Sequence, residues 1–466
     1  MNLYRVIWRW HFYVGLILAP VLIISAATGL IYIFKQDVRD ALNANAVFLP
    51  SSHPPPMDAE TLLAKLQTQQ GKVEKFLLPA QPERSWIFKF GDKPKPPKPP
   101  KKPKPDHDQT SQHPKPEHTA KHDPNDKKHS HDQGKEGWHV DPATATLLGP
   151  VLKEPAFFKI VLDIHRRLLS GTLGRIVIEL ATSWAIVLML TGLYLWWPKK
   201  ATGSGVWWPR LSGKWYVVFR DGHAVAGFYL LVPLMFILIT GLFFSYVWGG
   251  TYKWFQGKDP KGFFEVPKTL PSNPGAVSAG DLNEFIDHAR SRWPGFDLEV
   301  NLPKKKEGLW TIVPQTSRGP KRQGLMVYDP VSRRVVVERD LSELSWMTQL
   351  RLWAYPIHTG SIWGWPSKIL AALSCLVLIG LSASGMAMWC LRRKKGTLGL
   401  PRRPEVPLPY WLLAVIVLLA IALPVMGLSL VVIVLLDFVL SRLYGQGVNA
   451  EPPTPSAGHA ESSAAV

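Results

Sequence analysis

Four histidines recur at matching places in the two halves of this 466-residue chain. The matching pairs are His11 with His223 and His165 with His358. Members of the second pair share an isoleucine before them, glycine at +6, a basic residue at +10, glycine at +27 and tryptophan at +31. So many coincidences at rare residue types indicate that the chain contains one helix–insert–helix unit twice.

The first pair is followed by glycines that would open a helix face. Glycine stands four and eighteen residues after each histidine, giving Gly15, Gly29, Gly227 and Gly241. On a straight helix these offsets return to nearly the same face, so each histidine heads a stripe without side chains. Two such stripes facing each other would form a slot with an imidazole on each wall.

A flat slot between two imidazoles suits a six-coordinate haem, whose iron takes axial ligands from both faces within an apolar pocket. We therefore expect two haems, one held by His11 and His223 and the other by His165 and His358. Zinc or copper would want a third protein ligand, and no such residue repeats near the histidines.

Basic residues near the four histidines are candidates for pairing with haem propionates. They are Arg9, Arg220, Arg166 and Arg167. Anchoring at the membrane interface explains each of them equally well on its own. The sequence predicts no catalytic side chain.

Long apolar helices must position these histidines. We predict membrane spans over residues 1–35, 173–198, 223–248 and 366–391, and a fifth apolar segment over 406–444. About 20 helical residues cross a bilayer, so each of the four core stretches is long enough. The fifth is long for one span and short for two, and Pro424 favours one tilted or kinked helix over a hairpin.

Lysine and arginine are concentrated in the short segments before span 1, at 199–222 and at 392–405. The positive-inside rule makes these segments and the N-terminus cytoplasmic, and places the long loops 36–172 and 249–365 outside. Both copies then start on the same side, so the repeat is parallel, with its axis along the membrane normal. The net charge of +19 needs no nucleic acid to explain it.

Two segments are too polar or too low in complexity to fold. Residues 92–137 form a Pro/Lys/His tract that we expect to be a disordered external loop, and residues 445–466 an equally disordered tail. The tract holds six histidines, which would bind a metal weakly at most; a solvated spacer is the simpler interpretation.

The chain resembles the PepSY-associated transmembrane proteins, a family of iron-regulated membrane proteins that includes inner-membrane ferric-siderophore reductases. The likeness covers about residues 5–395. It is carried by these motifs: Trp10-His11 with Gly15 and Thr28-Gly29, Val140-Asp141-Pro142 before Ile164-His165-Arg166, Asp221-Gly222-His223 with Gly227, and Ile357-His358-Thr359-Gly360.

This resemblance implies an α-helical integral membrane bundle in the bacterial inner membrane, with two periplasmic α+β PepSY modules at about 57–152 and 277–340. It also implies b-type haem and electron delivery to ferric chelates such as siderophores at the periplasmic face. The Pro/Lys/His tract interrupts the first module and departs from the family pattern. With neither a GxGxxG nor a Walker loop in the sequence, the donor would be a quinol or a separate reductase.

Two other functions fit parts of the same pattern. Parallel repeats suit a transporter of metal, haem or an iron chelate, although the spans lack the midplane charges that usually mark a substrate path. A scaffold without cofactor, whose PepSY modules bind an exported partner, would not need the histidines.

Overall fold

The computed structural model describes residues 2–50, 52–91, 137–198, 205–259, 281–303, 308–315, 324–393, 399 and 409–444. Most of the Pro/Lys/His tract and the C-terminal tail lie outside these ranges. The helices of the described residues are α1 (Asn2–Ile33), α2 (Lys35–Leu42), α3 (Ala44–Val47), α4 (Ala59–Gln70), α5 (Ala156–Arg167), α6 (Gly171–Trp196), α7 (Trp215–Tyr229), α8 (Leu231–Leu242), α9 (Val247–Gln256), α10 (Leu282–Arg292), α11 (Trp346–His358), α12 (Trp365–Arg392), α13 (Tyr410–Ala422) and α14 (Pro424–Tyr444).

The chain divides into two compact units. The helical unit comprises residues 1–26, 165–252 and 377–466, and the sheet unit comprises residues 27–164 and 253–376. The strands all belong to the sheet unit: β1 (Val73–Leu78), β2 (Trp86–Phe90), β3 (Trp138–Val140), β4 (Leu147–Pro150), β5 (Asp297–Asn301), β6 (Trp310–Gln315), β7 (Gly324–Asp329) and β8 (Arg334–Asp340).

Apolar helices long enough to cross a bilayer identify a membrane protein with three or four candidate spans among the described residues. They are Leu3–Leu42, Gly171–Trp196, Trp365–Arg392 and the bent pair Trp215–Tyr229 with Leu231–Leu242. The bent pair corrects the sequence prediction of one straight helix over 223–248. The helix starts earlier, at Trp215, and the chain bends by 68° between α7 and α8.

A buried carboxylate, Glu179, is the one acidic side chain of α6. Glu179 is 1% exposed, and its two oxygens accept the backbone N–H groups of Val247 and Trp248 at 2.7 and 2.8 Å. Those N–H groups open α9 and have no partner within their own helix. The carboxylate also carries the sign of charge that the helix N-terminus favours. Glu179 therefore holds the start of α9 against α6.

Replacing Glu179 with alanine is expected to destabilise the helical unit by about 2–6 kcal/mol, because two partly buried N–H groups lose their acceptor at about 1–3 kcal/mol each. Thermal unfolding in detergent would measure the loss. Glu179→Gln retains one acceptor oxygen and should lie between the wild type and alanine. Equal melting temperatures for all three proteins would contradict the capping role.

The C-terminal apolar segment forms two helices that meet at a sharp turn. A Cβ added to Gly427 would lie 2.6 Å from the carbonyl oxygen of Ala420. Residues seven apart in a continuous helix are separated by about 10 Å along its axis, so the chain turns back at Leu423. Leu423 and Met426 are buried in the core of the helical unit. The segment is thus more strongly broken than the kinked helix expected from Pro424.

The sheet unit is built on a single antiparallel sheet with the strand order β4-β3-β2-β1-β5-β6-β7-β8. A helix followed by four strands occurs twice, as α4 with β1–β4 and as α10 with β5–β8. The two sets join where β1 pairs with β5. Buried residues of both helices and both sets of strands form one core, with Phe88 and Phe285 fully buried in it. The two inserts predicted from the sequence therefore share a hydrophobic core.

The Asp-Pro motifs have a structural role in this sheet. Asp141 accepts the backbone N–H groups of Ala143 and Thr144, in the turn between β3 and β4. Asp329 does the same for Val331 and Ser332 between β7 and β8. Asx-type turns of this kind fix a tight reversal of the chain. The motif that carries part of the family likeness thus shapes hairpins.

His53 forms an ion pair with Asp141 at 3.0 Å and makes the first turn sensitive to pH. The hydrogen bond to Asp141 raises the pKa of His53 above 6.5. Burial would raise the pKa of Asp141, but hydrogen bonds from His53 and the turn outweigh it and lower the pKa below 3.8. The histidine contribution is complete below pH 6.5 and disappears as pH rises through its raised pKa. The aspartate contribution is complete above pH 3.8 and disappears as pH falls through its lowered pKa.

His53→Gln is accordingly expected to lower the melting temperature of the sheet unit at pH 5.5 and to have little effect at pH 9. Asp141→Ala should be destabilising at both values, because it also removes the acceptor of the turn. Calorimetry of wild type and both variants at the two pH values tests this. An equal effect of His53→Gln at pH 5.5 and pH 9 would show that the charge on His53 does not matter.

Candidate cofactor site

A cavity of about 190 Å³ lies among the spans of the helical unit. Four glycines open its walls, one from each of α1, α6, α7 and α12: Gly15, Gly192, Gly227 and Gly385. The remaining wall is largely apolar and aromatic, with Phe12, Trp196, Phe228, Met388 and Trp389 among its members. The cavity is therefore apolar, and it is open where glycine replaces a larger side chain.

His11 and His223 both line this cavity. Their ring centroids are 6.3 Å apart and the ring planes are inclined by 76°. Each ring lies near a glycine of another helix. A Cβ added to Gly192 would come within 3.3 Å of Cε1 of His11, and one added to Gly385 within 4.0 Å of Cε1 of His223. The glycines at +27 thus make room for the histidines of the opposite pair.

A hydroxyl of α6 orients His11. Nδ1 of the ring lies 3.0 Å from Oγ1 of Thr191, and that hydroxyl lies 2.8 Å from the carbonyl of Val187. A hydroxyl that donates to this carbonyl accepts from the ring, which is the arrangement with the proton on Nδ1. In that tautomer Nε2 of His11 is the ligand nitrogen.

His223 is held in the same way. Its Nδ1 lies 3.0 Å from Oγ of Ser384, and this hydroxyl donates to the carbonyl of Leu381 at 3.1 Å. The carbonyl of Leu381 also accepts a hydrogen bond from the His223 ring. As for His11, the tautomer with the proton on Nδ1 leaves Nε2 as the ligand nitrogen. Thr191 and Ser384 occupy equivalent places, each immediately before the glycine that faces the ring.

The separation of the two rings fits a metal centre bound from opposite sides. Two metal–nitrogen bonds of about 2 Å, extended to the ring centres, place the centroids about 6 Å apart. Among the described residues no group of three or more His, Cys, Asp or Glu side chains comes together. Two neutral imidazoles and an apolar surround are the donor set that axial ligation of haem requires.

Arg392 is the charged residue on the cavity wall that the sequence did not single out. Its guanidinium stacks on the rings of Trp8 and Phe12, at 4.8 and 5.0 Å from their centroids. Arg9 and Arg220, the two predicted there, do not line the cavity. Arg9 lies over the ring of Tyr13, and Arg220 is bound to the buried carboxylate of Asp221 at 2.7 Å. Of these three arginines, Arg392 is the one placed to pair with a propionate.

Gly29 and Gly241, the outer glycines of the two predicted stripes, are not on the wall of this cavity. They stand 14 residues after Gly15 and Gly227, about 21 Å away along a straight helix, where the sequence predicts room for the second haem. For Gly241, the 68° bend between α7 and α8 also removes it from the helix face of His223. The stripe that begins at His223 and Gly227 therefore ends with α7. Gly29 belongs to the sheet unit, whereas Gly15 belongs to the helical unit.

His165 lies near the end of α5, followed directly by Arg166 and Arg167. Its Nδ1 donates to the carbonyl of Ser25 at 2.9 Å, and burial lowers the pKa of the ring, which favours the neutral form. His358 ends α11 and belongs to the sheet unit, whereas His165 belongs to the helical unit. Their pairing remains a prediction from the sequence.

The glycines at +6 have a conformational cause. Gly171 and Gly364 have φ of +55° and +68°, a region that L-residues with a side chain seldom adopt. Each stands at the start of the helix that follows the histidine, α6 and α12. The shared spacing of this second pair thus reflects a shared turn.

Comparison with known protein families gives one match. The family described as the PepSY-associated TM region matches residues 8–392, which is most of the chain. No curated protein matches the chain.

Proposed function

We propose that this chain, which belongs to the PepSY-associated transmembrane family, is an inner-membrane oxidoreductase. It would bind two b-type haems and reduce ferric chelates such as ferric siderophores at the periplasmic face. Its four core spans would be a tandem parallel repeat, with the N-terminus in the cytoplasm. One haem would be bound by His11 and His223 and the other by His165 and His358. Electrons would come from a quinol or a separate reductase on the cytoplasmic side.

The observation that carries this proposal is the pair of neutral imidazoles across the cavity. The ring centroids of His11 and His223 lie 6.3 Å apart, each Nδ1 is 3.0 Å from a hydroxyl, and glycines open the surrounding walls. A pair of histidines that served only as core residues would have both nitrogens bonded to the protein. Here a hydroxyl binds Nδ1 of each ring, and Nε2 is the nitrogen that would bind the metal.

The bound haem would supply a one-electron iron couple whose potential depends on its axial ligands and on the polarity of its pocket. The residues of the chain hold and tune that group. The histidines supply the ligands, the four glycines admit the ring, and the apolar wall excludes water. Arg392 would neutralise a propionate through a charge-assisted contact.

The proposed reaction requires no proton donor at the cavity, because it transfers only an electron to ferric iron. Ferrous iron is held more weakly by hard oxygen ligands, so reduction would release it from a siderophore. The cavity residues belong to the helical unit. The ferric chelate would bind at the periplasmic surface of the protein. The sheet unit would supply part of that surface.

A reduced-minus-oxidised absorption spectrum of the purified protein, with a pyridine haemochrome assay, tests the proposal. We expect two b-type haems per chain and oxidation of the reduced protein by a ferric siderophore. A protein from haem-sufficient cells without a Soret band would exclude this function. Chelate uptake by vesicles without any change in iron oxidation state would favour a transporter.

A further inference from the structure

We propose that Thr191 and Ser384 are positioning residues that set the ligand strength of His11 and His223. The inference rests on the proposed function and deepens it, since it names the groups that would tune the iron held in this cavity. Neither residue would touch the iron. Each acts through the imidazole that it holds.

The geometry gives each imidazole one defined orientation. An N–H···O bond of 3.0 Å from Nδ1 fixes the ring on one side, and the hydroxyl that accepts it is itself fixed by its bond to a carbonyl of its own helix. The carbonyl of Leu188 lies 3.1 Å from the same hydroxyl of Thr191, so two carbonyls of α6 share its single hydrogen. The hydroxyl is therefore held by its own helix on one side and by the imidazole on the other.

The two relays are built by equivalent residues on different helices. Thr191 of α6 holds His11 of α1, and Ser384 of α12 holds His223 of α7. In each case the hydroxyl precedes the glycine that clears space beside the ring. The Thr-Gly and Ser-Gly steps thus do two things together: they admit the histidine and they orient it.

A hydrogen bond from Nδ1–H makes an imidazole a stronger donor through Nε2, and outer-shell partners of this kind typically change metal affinity by about 10- to 100-fold. A stronger donor favours ferric over ferrous iron. The acceptors here are neutral hydroxyls rather than carboxylates, so the effect is moderate in size. Removing either hydroxyl should raise the midpoint potential of the haem in this cavity and weaken its retention.

Thr191→Val keeps the shape of the side chain and removes only the hydroxyl, and Ser384→Ala does the same at the second position. Matched controls exist on the same helices. Thr182 of α6 and Ser374 of α12 make the same kind of bond, each at 2.8 Å to a carbonyl four residues earlier. Thr182→Val and Ser374→Ala therefore report the cost of losing a hydroxyl from each helix without touching these histidines. Thr191→Ser, which restores the hydroxyl, is the rescue variant.

Spectroelectrochemical titration of each purified protein measures the two haem potentials, and low-temperature EPR reports the axial ligands. We expect Thr191→Val and Ser384→Ala to raise one potential, shift its EPR signal and reduce haem affinity by about 10- to 100-fold, with the rescue and control proteins unchanged. Haem-loaded variants with wild-type potentials and EPR signals would overturn this inference alone. A wild-type protein that binds no haem would overturn it together with the proposed function.

Discussion

His223→Ala protein purified from haem-sufficient cells is expected to contain one b-type haem per chain where the wild type contains two. Alanine removes one of the two imidazoles that face each other across the cavity, and the remaining ring cannot close an axial pair. His11→Ala should give the same result, because both rings line one cavity at 6.3 Å. The pyridine haemochrome assay measures the stoichiometry.

A histidine elsewhere in the chain serves as the control. His288 of α10 is bound to Glu338 at 3.0 Å in the sheet unit and lies outside the cavity. His288→Ala should keep both haems. The double variant His11→Ala, His223→Ala should lose no more than either single variant, since both act on one site. Two haems in the His223→Ala protein would rule out this pair as axial ligands.

The sequence located this pair of histidines but not all of the residues around them. The matching sequence after His11 and His223 was enough to predict that the two rings come together, and both line one cavity. Thr191 and Ser384 were visible by the same comparison, each standing immediately before a glycine at +27. They were missed because a hydroxyl near a transmembrane glycine is common and signals only close packing. The role of each hydroxyl depends on the direction in which its side chain points, which is known only from the three-dimensional structure.

The predicted stripe from His223 to Gly241 was wrong for a different reason. Its prediction assumed a straight helix, but the chain bends by 68° between α7 and α8, at Leu230. Pro233 lies three residues further on; it has no N–H to donate to the carbonyl of Tyr229, and its ring crowds that carbonyl. A proline in the apolar run is thus a sequence signal for this bend, which the spacing of the glycines alone did not include.

The pairing of β1 with β5 was hard to predict from the sequence. It joins the two sets of one helix and four strands, and nothing in either strand indicates that they pair with each other. The register of Phe76 with Val300 and of Leu78 with Leu298 comes from matching buried faces across more than two hundred residues. One-residue shifts would turn these apolar side chains to the opposite face of the sheet. The fold class could thus be predicted, whereas the pairing depended on three-dimensional packing.

Gly192→Leu is expected to remove the haem of this cavity while leaving the protein folded. A Cβ at this position already lies 3.3 Å from Cε1 of His11, and the rest of a leucine would occupy the space that the ring of the cofactor needs. The helix itself should gain, because leucine is favoured over glycine in a helix interior by about 0.5–1 kcal/mol. Loss of haem without loss of stability would separate cofactor binding from folding, which a histidine variant cannot do.

The matched control is Gly380→Leu in α12, where an added Cβ meets no atom within 4 Å. This variant should bind two haems and melt at the wild-type temperature or above. For Gly192→Leu we expect one haem per chain, an unchanged second haem potential, and a melting temperature for the haem-free protein at least equal to that of haem-free wild type. If Gly192→Leu retained both haems with wild-type spectra, the space beside His11 would not be where the cofactor lies, and the paired histidines would then be buried core residues.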